Sequence, residues 1–142
     1  MRVAIAEIPE EGLRLTEQIE PASLGLETPE VRFEQPVAVS ALFQRHEEDL
    51  VVAVEAAGTV APVCARCLQA FRQPYHETFQ LAIEIRRRPV IDVTDEIRQE
   101  IVLSYPMIWL CREDCRGLCP SCGSHLNEGP CACPKQSHAP GA

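Results

Sequence analysis

Leu50-Val-Val-Ala-Val-Glu-Ala-Ala-Gly-Thr-Val-Ala-Pro-Val-Cys-Ala-Arg-Cys67 decides the fold, because a strand-like run leads directly into a C-x-x-C pair. The segment 50–57 is valine-rich and apolar on both faces, as a buried strand is. Gly58 reads as its end. Upstream, His46-Glu-Glu-Asp49 reads as a polar hairpin turn, and Val37-Ala-Val-Ser-Ala-Leu-Phe43 alternates with the two-residue period of a half-buried strand. Val31-Arg-Phe-Glu34 does the same, with Pro36 marking an edge or a bend. Nearer the N-terminus, Val3, Ile5 and Ile8 are spaced for a short strand, and Leu13 and Leu15 alternate with charges after Glu11-Gly12. Residues 21–30 read as a surface connection.

Downstream of the pair, Tyr75 to Ile85 places Tyr75, Glu77, Phe79, Leu81, Ile83 and Ile85 on one face of a strand, which Arg86-Arg-Arg-Pro89 closes. Residues 92–105 read as the helix. Asp92 or Thr94 can cap it, Asp95 and Glu96 suit its positive end, and Val93, Ile97, Ile101 and Tyr105 form an i, i+4 stripe before Pro106. Met107-Ile-Trp-Leu110 is an apolar step to Cys111. The expected fold is α+β: a curved antiparallel sheet of about five to seven strands, one main helix and a C-terminal Cys-rich zinc knuckle. The expected division is a core over residues 1–118, a knuckle over 119–134 and a disordered tail over 135–142.

The chain of 142 residues holds 8 cysteines at a formal net charge of −8. No apolar run reaches the ~20 residues of a membrane span. The N-terminal stretch turns acidic at once, unlike a signal peptide, so a cytoplasmic location is expected. Cysteines at this density without an export signal point to metal or redox chemistry before disulfides. The charge is uneven: residues 1–58 carry 12 acids and 4 arginines, and residues 59–142 carry 9 acids and 9 bases. Only the second half can plausibly meet nucleic acid, whose non-specific affinity comes from Lys and Arg on phosphates. The first half suits a basic protein.

Two C-x-x-C units, Cys64/Cys67 and Cys119/Cys122, with Cys111, Cys115, Cys131 and Cys133, supply enough thiolates for two Zn²⁺ sites. The favoured partition sets Cys64, Cys67, Cys111 and Cys115 in one site and Cys119, Cys122, Cys131 and Cys133 in the other. Cys111 and Cys115 would share a face of one helical turn. Cys131 and Cys133 would lie about 6.5–7 Å apart on an extended strand and need a local turn to clasp one ion. Gly123 suits the turn after Cys122. The competing partition has one zinc, with His125 replacing a thiolate or with some cysteines free. Arg66, Arg72, Arg112 and Arg116 could converge with the knuckles on phosphates, as could Arg86, Arg87 and Arg88 at the strand end, or all could be solvated. A thioredoxin-like site lacks its βαβ context, and no placed His/Asn pair supports a Cys protease. No catalytic residue is assigned.

The unit Val63-Cys-Ala-Arg-Cys-Leu-Gln-Ala-Phe71, the helix Asp95–Leu103 and the run Cys111–Asn127 resemble the bacterial YceD family, the large ribosomal RNA subunit accumulation proteins. The resemblance spans residues 30–133 or so; residues 1–29 share only an acidic, strand-like character. It implies a non-enzymatic role in large-subunit ribosomal RNA accumulation, processing or assembly. The implied partners are that RNA or a precursor large subunit, and a basic ribosomal protein fits the acidic half. No membrane and no small-molecule substrate are implied. Cys64 and Cys67 match the family's C-x-R-C-L unit, and Cys111 and Cys115 its post-helix positions. Some relatives lack the last knuckle, which favours two separate sites. Two other classes stay open: a zinc-ribbon protein-interaction module and a thiol redox switch.

Overall fold

The computed structural model describes residues 1–131 and 133. They form seven strands and one α-helix: β1 Arg2–Ala4, β2 Leu13–Ile19, β3 Val31–Phe33, β4 Val37–His46, β5 Asp49–Pro62, β6 Gln73–Glu84, β7 Val90–Asp92 and α1 Thr94–Leu103. Antiparallel pairing builds a five-stranded sheet in which β4 joins β2 to β5, and β5 also carries β3 and β6. The expected tail over 135–142 lies outside the described residues.

The fold is organised along β5. On one edge it pairs with β4 over Asp49–Ala57 and then with β3 over Val60–Pro62. On the other edge β6 follows it from Asp49 to Val60. Gly58 therefore does not end the strand. It sits opposite Tyr75, and a Cβ there would make ordinary contacts with the Phe33 ring at 3.8 Å and the Val37 backbone at 3.9 Å, so tertiary pairing carries the strand through it. Alternation sends one row of side chains inward: Leu13, Phe43, Val52 and Leu81 lie directly across from one another on four strands. Phe43 and Val52 are fully buried there. Cross-strand rows of this kind are where a sheet draws its stability.

Two short readings need correction, and one strand has no counterpart in the sequence pattern. The apolar positions near the N-terminus do not make one strand, because β1 stops at Ala4 and Ile5–Glu7 turns as a 3-10 helix. Its partner is β7, hidden in the sequence between the arginines and the helix; three residues are too few to show a period. Residues 21–30 are not wholly a surface connection either, since Leu26 is fully buried and Pro21 opens a 3-10 turn.

The helix is shorter than its pattern, Thr94–Leu103. Asp92 belongs to β7, and its carboxylate accepts from the Thr94 backbone N–H at 3.0 Å and from the Thr94 hydroxyl. Val93, Ile97 and Ile101 are buried as the stripe requires. After the helix, Tyr105 and Trp109 turn inward while Met107 and Ile108 stay exposed. Tyr105 meets Tyr75, Phe33 and Trp109 with ring centroids 6.1–6.4 Å apart. Its hydroxyl donates to the Leu26 carbonyl at 2.8 Å, and Tyr75 bonds Ser104 at 2.9 Å. Burial pushes both phenols up. This aromatic group ties the helix exit to the Pro62 end of β5, where the cysteines begin.

Phe43→Ala should cost about 3–5 kcal/mol through lost transfer energy and the cavity left behind. The neighbouring Leu42→Ala, on the half-exposed opposite face, should cost under about 1.5 kcal/mol by the same urea unfolding measurement.

Candidate metal centre

The first thiol group is assembled at the tip of the β5–β6 connection. Val63 and Ala70 still pair across it, and Leu68 N–H donates to the Cys64 carbonyl at 2.9 Å to close the turn. Leu68 takes φ 61 in that turn. Ala65 N–H then donates to the Trp109 carbonyl at 2.8 Å, which brings the post-helix segment against the knuckle. Cys111 and Cys115 follow in a tight turn, closed by Cys115 N–H on the Arg112 carbonyl at 3.2 Å, in place of the expected α-helical turn. Sulfurs pair at 3.7 Å (Cys64–Cys115) and 3.8 Å (Cys67–Cys111), and all four ligand atoms lie within 4.8 Å of one another. Cys64, Cys67 and Cys115 are buried.

The second group is a small hairpin of its own. Leu118 pairs with His125, Cys119 N–H donates to the Ser124 carbonyl at 2.8 Å, and Gly123 N–H returns to the Cys119 carbonyl at 2.8 Å. Gly123 takes φ 74, the conformation its place in the sequence called for. Cys119, Cys122, Cys131 and Cys133 gather here, with Cys119 and Cys133 at 3.9 Å. Cys122 is exposed, so this group is more open than the first.

Each group could hold a metal ion with four thiols and without His125. Both ring nitrogens of His125 are buried without a hydrogen-bond partner among the described residues. The electrostatics fit such a role. Burial pushes the Cys64 thiol up, yet N–H donors from Cys67, Cys111 and Arg66 outweigh it and bring it to about 6. Cys111 is pushed up to about 12 by burial and by the thiols beside it. In the second group the Ser124 hydroxyl and N–H lower Cys122 to about 6, and Cys122 in turn pushes Cys133 up to about 12. Four crowded thiols cannot all ionise by themselves; a bound cation removes that penalty.

Asn127 is the residue the sequence reading missed. Its Nδ2 donates to the Cys115 sulfur at 3.2 Å, and its Oδ1 accepts from Arg116 N–H at 2.8 Å. Leu126 N–H donates to the Gly117 carbonyl at 2.9 Å. The hairpin of the second group therefore completes the hydrogen bonding around the first. Gly117, φ 76, is needed there because a Cβ would come within 3.0 Å of the Arg66 carbonyl oxygen. Only an Asn in the Cys-rich run could have hinted at this, and Asn is common in turns.

The seven arginines do not form one patch. Arg66 donates to the Glu113 and Cys115 carbonyls, Arg72 pairs with Glu34 at 2.6 Å, and Arg112 with Asp114 at 3.3 Å. Arg86 is paired with Glu48 and Glu84. Arg116, Arg87 and Arg88 make no ion pair among the described residues, but Arg86, Arg87 and Arg88 lie at the Asp49 end of the sheet and the thiols beyond its Pro62 end.

A family model described as large ribosomal RNA subunit accumulation protein YceD matches residues 81–141. Over that span the chain matches the YceD family. The match takes in the end of β6, the arginine turn, α1 and six of the eight cysteines. Among curated proteins, the chain is 29% identical to uncharacterized protein ML1660 of Mycobacterium leprae, over 74% of this chain and 56% of the relative. It is 35% identical to uncharacterized proteins Mb2951c of Mycobacterium bovis and Rv2926c of Mycobacterium tuberculosis, over 57% of this chain and 46% of theirs. The chain thus spans about half the length of these relatives. No solved structure matches it.

Asn127→Ala should weaken metal retention at the first group by roughly 10–100-fold, the usual cost of losing a hydrogen bond that orients a ligand. Competition with a chromogenic chelator reads this directly. Equal retention by the variant and the parent protein would remove Asn127 from the site.

Proposed function

We propose that this chain is a non-enzymatic, zinc-stapled factor that supports large-subunit ribosomal RNA accumulation and large-subunit assembly in the cytoplasm. The observation that carries the reading is the coincidence of the YceD match with two four-thiol groups of zinc dimensions. Four thiolates at the ~2.3 Å Zn–S distance around a tetrahedral centre stand about 3.8 Å apart. The observed sulfur pairs stand at 3.7, 3.8 and 3.9 Å. Bound zinc would neutralise thiolate repulsion and cross-link the segments that carry the ligands. Because four protein ligands fill a tetrahedron, such a site keeps no position for water or substrate. This supports a structural role and argues against metal-assisted hydrolysis.

What the chain's own residues do is hold three segments together. The β5–β6 tip supplies Cys64 and Cys67, the helix exit supplies Cys111 and Cys115, and Asn127 brings the last hairpin against them. The acidic first half fits a basic ribosomal protein, whose approach electrostatic attraction would accelerate. Among the described residues no helix is long and apolar enough to cross a membrane, in keeping with a ribosomal setting.

Elemental analysis of the purified protein should give two zinc ions per chain. A chelator should strip the exposed C-terminal group first and the buried group second, with loss of folded structure accompanying the second step. In a low-salt sucrose gradient the protein should travel with the large subunit or its precursors and leave them after nuclease treatment. Capture of a free protein partner that survives nuclease, with nothing in the particle fractions, would favour an interaction module instead.

A further inference from the structure

An open groove of 520 Å³ lies where the β6–β7 turn meets the N-terminal 3-10 turn, lined by Ile5, Ala6, Arg45, Ile85, Arg87, Arg88 and Pro89. Three arginines line it and no acidic residue does. Arg45, Arg87 and Arg88 are all exposed, and none makes an ion pair or a side-chain hydrogen bond among the described residues. Arg45 comes from the far end of β4, opposite Leu50, so the sequence gives no sign that it joins the other two.

Arg87 and Arg88 also border an adjoining cavity with Glu84 and Arg86, and it is ion pairing that sets Arg86 apart from them. Glu48 of the β4–β5 hairpin and Glu84 of β6 are both engaged by Arg86. Those two carboxylates are thereby drawn to one arginine, and Arg45, Arg87 and Arg88 have no ion-pair partner among the described residues. Arg87 is held at φ 62, a conformation uncommon outside glycine, and Arg88 N–H fixes the turn on the Ile85 carbonyl at 2.9 Å. Ile5 N–H on the Pro89 carbonyl, 2.9 Å, holds the opposite wall. A tight turn thus presents two adjacent arginines toward a third from another strand. Arginine forks match phosphate oxygens in geometry and charge.

From this arrangement we infer that Arg45, Arg87 and Arg88 form a contact site for the phosphodiester backbone of RNA, with Arg86 outside it. The inference rests on the ribosomal RNA reading above and deepens it by naming the surface. The site lies at the Asp49 end of β5, and the first thiol group beyond its Pro62 end. A 14-residue strand separates them by roughly 40 Å at about 3.3 Å per residue. RNA contact and metal binding therefore occupy opposite ends of the molecule. In a chain of net charge −8 the overall field repels RNA, so a compact set of unpaired arginines is what can hold it.

Fluorescence anisotropy with a labelled single-stranded uridine 20-mer and with a fragment of large-subunit ribosomal RNA tests this on the full-length, zinc-loaded protein. The variant Arg45→Gln/Arg87→Asn/Arg88→Gln is expected to bind both probes at least 10-fold more weakly. Its plot of log affinity against log salt should lose about 2 of slope, as three single-strand phosphate contacts require. Arg87→Asn suits the positive φ, and circular dichroism with zinc content confirms the fold. Arg86→Gln should change binding by less than 2-fold, as should Arg116→Gln at the metal end. An unchanged affinity in the triple variant, an equal loss in Arg86→Gln, or no binding of either probe by the parent protein overturns the inference.

Gradient sedimentation of the same variants separates this from the wider reading. Parent protein that binds the probes but never meets the large subunit refutes the assembly role and leaves the groove standing. Parent and triple variant both on the particle refute the groove alone. A triple variant that binds RNA normally yet leaves the particle would make the groove a seat for an acidic protein segment, which also overturns the RNA assignment.

Discussion

The structure depends on a repulsion that has to be cancelled. Two sets of four sulfurs, each set within 4.8 Å, are gathered into small volumes, the first from segments far apart in sequence and the second from one short hairpin, and crowded thiolates would oppose that gathering. Protein groups relieve part of it: N–H donors lower Cys64, Ser124 lowers Cys122, and Asn127 donates to Cys115. The raised values at Cys111 and Cys133 show the part left over. A cation held by each group of four thiols would balance the rest of the charge, and the β5–β6 tip, the helix exit and the last hairpin supply the ligands that could hold it.

The sheet makes this possible by setting the two ends of a long strand at fixed places. Its buried row, Leu13–Phe43–Val52–Leu81, secures β2, β4, β5 and β6 to one another. At the Pro62 end, Phe33, Tyr75, Tyr105 and Trp109 pack edge to face or tilted. They carry the rigidity of the sheet into the segment bearing Cys111. The Trp109 carbonyl, accepting from Ala65, is the direct link between aromatic packing and the thiols. Trp109 is buried and serves the core, leaving no face for base stacking.

Charge is arranged with the same economy. Most arginines near the cysteines are committed to carbonyls or carboxylates, which leaves them holding loops in place. At the other end of the sheet Arg45, Arg87 and Arg88 line one groove without an ion pair among the described residues, while Arg86 engages Glu48 and Glu84. A short run of three arginines thus divides into one that is ion-paired and two that are not among the described residues, a distinction that depends on neighbours from the hairpin and β6.

By itself the sequence determined the strand periodicities, the buried stripe of α1 and the two C-x-x-C turns with Gly123. These rest on periodicities and local turn chemistry that neighbouring residues fix among themselves. The sequence favoured two sets of four cysteines but left a one-metal partition open, and the structure brought Cys64 and Cys67 to Cys111 and Cys115. Tertiary structure alone decided that β5 passes through Gly58, that the three-residue β1 pairs with β7, and that Leu26 is core. It also decided that Asn127 serves Cys115, and that Arg45 joins Arg87 and Arg88 while Arg86 does not. Each of those depends on partners a dozen or more residues away, and a local pattern carries no record of which distant group will be opposite.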